Sequence, residues 1–267
     1  MHAAVHGVEI EATKRSLGAA VFAIGLAAIA AQNFIATDFV TELQPVPASI
    51  PGRIMLAYLN GALLLAATAS VVLNLRVRLA AMFTTLLLVI WFVVLHVPRV
   101  IAHPNAGNAW TPALEIFAMA GAALMLTALA SADDPRQRRI GTLGLLCFAV
   151  TLPAFGALHF IYWEYVASVI PAWIPGHVFW AYFTGVAHVA AGIAILLSVT
   201  APRFRRIAHV AASLWALMTG LWVVLLHVPR ALAHMDARPE WTSLFVAITL
   251  CGGGLLVRQT LARGGQR

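Results

Sequence analysis

The chain divides into eight runs of about 20 mostly apolar residues, at 17–35, 53–74, 79–97, 110–130, 140–160, 177–199, 207–228 and 241–257. A run of that length crosses the hydrocarbon of a bilayer as a helix, because a helix satisfies its own backbone N–H and C=O groups where no water can. Apolar residues make up 61% of the chain and charged residues 10%, against about 45–50% and about 25% in soluble domains. The expectation is an all-α membrane protein with eight transmembrane helices, whose lasting partner is the lipid bilayer. The formal charge of +7 then reports topology and not nucleic-acid binding. Cys147 and Cys251 lie inside apolar runs and form no CxxC, which points to buried packing residues.

The runs are not independent of one another. Leu95-His96-Val97-Pro98-Arg99, closed by Ala102-His103, recurs as Leu226-His227-Val228-Pro229-Arg230, closed by Ala233-His234, and each copy is followed by Trp-Thr. From Trp91 to His103, nine of thirteen positions match Trp222 to His234, at an offset of 131. Pro47–Gly52 matches Pro171–Gly176 at an offset of 124, so the second copy has gained seven residues around positions 202–209. The chain reads as a duplication, with repeats at 17–130 and 140–257. Four crossings return the chain to its starting side, so two parallel four-helix repeats are expected, related by an axis along the membrane normal.

Residues 1–16 read as a polar tail, 131–139 as a linker and 258–267 as a second tail. Thirteen of the seventeen Lys and Arg residues fall on the side of the tails and linker; Arg53, Arg99, Arg230 and Arg238 fall on the other. The excess of cations predicts that both termini face the cytoplasm and both motifs face outward. The first run, with Ala28-Ile29-Ala30, also reads as a cleavable signal. A retained helix is the preferred reading, since residues 140–160 occupy the matching place inside the chain.

On a straight helix His96, Arg99 and His103 would share one narrow face. Pro98 donates no N–H and its ring presses on the carbonyl of Val94, so the helix is expected to kink or end there, as at Pro229. One reading has His96 and His227 satisfying broken backbone while Arg99 and Arg230 reach the headgroups. The other brings the two motifs together as a ligand-binding cup of His96, Arg99, His103, His227, Arg230 and His234. Forked guanidinium donors suit an anion or a partly negative oxygen, and imidazoles pass protons near neutral pH. A quinone head needs such groups. Haem or metal is the weaker expectation, since no Cys or carboxylate stands at ligand spacing. His188, deep in the sixth run, Glu115, inside the fourth, and His159, ending the fifth, are ionisable groups in costly places and candidates for a proton relay. His188 has Leu64 as its first-half counterpart; His159 has a counterpart near Asn33-Phe34.

His159-Phe160, then Pro171 and Pro175 leading into Phe179-Trp180-Ala181-Tyr182-Phe183-Thr184-Gly185 and Ala190-Ala191-Gly192-Ile193, resembles the DoxX-like family of four-helix bacterial membrane proteins. Through the duplication, the whole chain resembles two such units in tandem. The resemblance implies a bacterial cytoplasmic-membrane protein acting as a subunit in quinone-linked or other redox chemistry, with a redox partner subunit. That family often has an acidic residue a turn after the Thr-Gly. Here His188 or Leu64 stands in that region, so no catalytic role carries over. A transporter for a small anion or lipid-like molecule is a different expectation, and a purely structural membrane subunit a third.

Overall fold

A computed structural model describes residues 16–40 and 42–264. The expected N-terminal tail, apart from Ser16, lies outside the described residues. The described residues form helices and connecting loops without a strand. In chain order the helices are α1 (Leu17–Ile35), α2 (Arg53–Val72), α3 (Val77–Ala102), α4 (Gly107–Leu129), α5 (Pro135–Ile161), the short α6 (Trp163–Val169), α7 (His177–Thr200), α8 (Pro202–Ala233) and α9 (Arg238–Gly264). All except α6 are long and apolar enough to cross a bilayer, eight in total. Several helices run past the expected apolar stretches, α3 and α8 among them, and two of these extensions enter the expected tail and linker. The region read as a C-terminal tail from residue 258 continues as helix to Gly264, and α5 begins within the expected linker, at Pro135. Pro at the first helical position wastes no hydrogen bond, and the Asp134 side chain accepts from the Gln137 N–H at 2.8 Å to cap that end.

Successive long helices pack side by side around the molecule, and α9 returns to pack on α1. α4 also contacts α9 across the middle. These two are the most enclosed spans, at 72% and 61% buried against 17–44% for the others. Their sequences explain it: Ala118, Ala120, Gly121, Ala122 and Ala123 in α4 and Gly252, Gly253 and Gly254 in α9 carry little side chain, so backbones can approach closely where no hydrophobic effect drives helices together in lipid. At the α4–α5 contact a Cβ on Gly121 would lie 2.7 Å from the Gly144 carbonyl oxygen. At the α9–α1 contact one on Gly252 would lie 2.2 Å from the Phe22 nitrogen.

At Pro98 and Pro229 the helix does not stop; it changes its winding. In each copy one turn widens to π geometry, over Phe92–His96 and Val223–His227, with Val97 N–H bonding Phe92 C=O and Val228 N–H bonding Val223 C=O. The wider turn accommodates a proline that lacks its donor, and the helix continues for six more residues. It ends at His103 (φ −134°, ψ 61°) in one copy and at His234 (φ −131°, ψ 59°) in the other. Gly52 and Gly176, each following a Pro, adopt left-handed φ of 69° and 75° at the starts of α2 and α7. A side chain would be strained there.

Candidate functional site

The matched polar positions meet different surroundings in the two halves. In the first half, residues 38–40 and 42–46 come from the loop between α1 and α2, and several of them fold inward. Leu43 and Gln44 are fully buried, as is His96. The His96 Nε2–H donates to the Leu43 carbonyl oxygen at 2.9 Å; the carbonyl can only accept, so Nδ1 is the bare nitrogen, and it has no partner. Asn33 donates to Gln44 Oε1 at 2.8 Å and to the Asp38 carbonyl at 3.1 Å, and Asn60 donates to Asn33 Oδ1 at 3.2 Å. Arg53 anchors the segment through a two-pronged pair with Asp38, at 2.7 and 3.2 Å, and a bond to the Val46 carbonyl. The Arg53 guanidinium holds the Asp38 carboxyl below the usual range. Partial desolvation raises the Glu42 carboxyl, which senses the charges of both Arg99 and Glu240.

In the second half the corresponding interior is open. A cavity of about 240 Å³ lies among α4, α5, α7, α8 and α9, with Val166 and Val169 of α6 also lining it, and Glu115, His159, His188 and His227 all face it. The hydrogen bonds of the ring nitrogens fix two tautomers. Trp215 Nε1–H donates to His188 Nδ1 at 2.9 Å, so neutral His188 carries its proton on Nε2. His159 Nδ1–H donates to the Phe155 carbonyl at 2.8 Å, so its Nε2 is a bare acceptor. The two rings lie 4.9 Å apart between centroids. His227 buries Nδ1 without a partner, as His96 does. An orphan lone pair is tolerated better than an orphan N–H, which favours the Nε2–H form. Glu115 makes no hydrogen bond or ion pair among the described residues.

The six motif residues do not share this cavity. His227 lines it; His96 does not, being occupied by Leu43. Arg230 forms a two-pronged pair with Glu240, at 2.8 and 2.5 Å, and donates to the Val169 carbonyl at 3.1 Å. Arg99 stands near Glu42, and His103 and His234 are exposed at their helix ends. Of the two guanidiniums expected to meet an anion, Arg230 is committed to the chain's own Glu240, while Arg99 stands near Glu42. The three relay candidates, Glu115, His159 and His188, do come together, with His227 as the fourth member.

Trp215 and Trp222 were not among the sequence candidates, yet both line the cavity. A signal for Trp215 existed: at an offset of 131 its counterpart is Thr84, and at 124 that of His188 is Leu64. Both members of the hydrogen-bonded pair are thus peculiar to the second half. Thr184, Trp215, Met218 and Trp222 also form the back of a 620 Å³ apolar groove between α7 and α8, floored by Ala187, Ala190, Ala191 and Ala194. A wall only one side chain thick separates the polar cavity from that groove.

The family model "Domain of unknown function (DUF8561)" matches residues 148–257, which takes in most of the second half and three of the four ionisable groups of the cavity. No curated protein and no solved structure matches the chain.

Proposed function

We propose that the chain is a DoxX-like, quinone-binding subunit of membrane redox chemistry in the bacterial cytoplasmic membrane, with its quinone-head site in the second-half cavity. The observation that carries this reading is the donor set of that cavity. His188 and His227 offer an Nε2–H each, enough for the two carbonyl oxygens of a quinone, while Glu115 and His159 supply a titratable acid and a bare acceptor for proton transfer. At 240 Å³ the cavity falls below the ~300–1,000 Å³ typical of whole drug-sized ligands. A single ring with its substituents fits that scale, and the adjoining apolar groove suits a hydrocarbon tail. Electrons would come from a partner subunit; this chain's residues hold the ring and move its protons. Commitment of the motif residue Arg230 to an internal ion pair with Glu240 counts against a small-anion carrier.

The same reading takes the chain as two parallel four-helix repeats with both termini cytoplasmic. The contacts support it, for each has a counterpart: α1–α2 with α5–α7, α2–α3 with α7–α8, α3–α4 with α8–α9, and α4–α5 with α9–α1. The cation distribution supports the orientation.

Purified protein titrated with decylubiquinone should show saturable quenching of tryptophan fluorescence. His188→Leu should weaken binding at least tenfold, while His103→Ala and His234→Ala, at exposed helix ends, leave it unchanged. Quenching that never saturates, or that is identical in His188→Leu, overturns the proposal.

A further inference from the structure

The duplication left one half closed and the other open, and the closed half carries a stand-in for the missing ligand. Position 96 in the first half matches 227 in the second, and Asn33 matches His159, since Gly61 rests against Asn33 and Phe34 as Gly185 rests against His159 and Phe160. In the first half these two positions grip a piece of the chain itself: His96 bonds the Leu43 carbonyl and Asn33 bonds Gln44. In the second half the same two positions, His227 and His159, face the cavity. The second-half connection instead forms α6, whose Val169 lines the cavity with its carbonyl held by Arg230. What the inturned segment fills on one side is therefore empty space on the other.

We infer that the cavity binds a carbonyl oxygen at His227 Nε2–H, in the place that the Leu43 carbonyl takes against His96. This rests on the quinone reading and assigns one end of the head: one carbonyl against His227, the ring reaching inward towards His159 and His188. The ring geometry agrees in both halves, with Nδ1 buried and unpartnered in each imidazole. An imidazole on the π turn with its Nδ1 buried and unpartnered is thus seen once with an acceptor at Nε2 and once without.

The test is infrared difference spectroscopy on purified protein with ubiquinone-1 carrying a ¹³C label at one carbonyl or the other, with binding constants measured alongside. Wild type should show one carbonyl stretch lowered by a hydrogen bond. His227→Leu should lose that shift and bind about fivefold to tenfold more weakly, the worth of one hydrogen bond. His227→Gln, which keeps a donor, should restore much of both, and His96→Leu should leave the carbonyl spectrum as in wild type. Saturable binding by His227→Leu with an unshifted spectrum relative to wild type overturns the inference alone. Absence of saturable binding by wild type overturns the quinone reading and the inference with it.

Discussion

Replacing Gly252 by Ala adds one methyl group where a Cβ would come nearer a neighbour than at any other glycine among the described residues. The new Cβ would stand 2.2 Å from the Phe22 nitrogen and 2.6 Å from its Cα, where carbon contacts are comfortable at about 3.5–4.0 Å. Both obstructing atoms are backbone, so no rotamer relieves the clash and α1 must retreat by about an ångström. It cannot do so locally, since Gly25 of α1 is equally close to Thr249 of α9, where a Cβ would lie 2.7 Å from the backbone nitrogen. Overpacking of this kind costs about 1–3 kcal/mol, and unyielding backbone puts Gly252→Ala at or above the top of that range. Gly220→Ala is the control. Its Cβ would meet only Cys251 Sγ at 3.4 Å, and Ala is worth about 0.5–1 kcal/mol over Gly in a helix interior. The variants should therefore differ by about 3 kcal/mol, over a hundredfold in unfolding constant. Unfolding in mixed detergent–SDS micelles, followed by circular dichroism, reads that difference. If Gly252→Ala unfolds within about 0.5 kcal/mol of Gly220→Ala, α1 and α9 do not meet as described.

Three further outcomes follow from the charged groups at the motif end. Glu240→Gln strands a half-buried guanidinium and should cost about 1–3 kcal/mol, while Arg230→Met with Glu240→Met, which removes both charges, should cost less than the single change. Because Arg53 lowers the Asp38 carboxyl, Asp38 adds stability that is present at neutral pH and lost as pH falls through its lowered folded value. The stability gap between wild type and Asp38→Asn should accordingly close below about pH 4. Glu42 has the opposite sign: its raised carboxyl favours the protonated fold, so Glu42→Gln should melt higher than wild type at pH 7 and converge with it in acid.

The eight helices long and apolar enough to cross a bilayer are legible in the sequence because lipid demands uninterrupted apolar length, and the match between the two motif copies is legible because Pro, Gly, His and Arg are conspicuous in such runs. The response to Pro98 is not, since a missing donor can be met by a kink, a stop or a widened turn, and composition does not choose among them. Nor is the fate of the two motifs. Their sequences are nearly identical, and what separates them is a third element: the Leu43–Gln44 segment that seals His96, against α6, which leaves His227 facing open space. Glu115, His159 and His188 stand out singly as ionisable residues in apolar runs. That they face one cavity depends on which helices are neighbours, and α4–α5 packing, across the linker, is what brings Glu115 of one half into the interior of the other.

Photolabelling tests the central claim most directly. An azido-ubiquinone irradiated on the purified protein, digested and mapped by mass spectrometry, should attach within the peptides carrying Glu115, Trp215 and Trp222, in competition with unlabelled ubiquinone-1. Label distributed over lipid-facing residues of all eight helices, or concentrated on α2 and α3, with no protection by competitor, would contradict it.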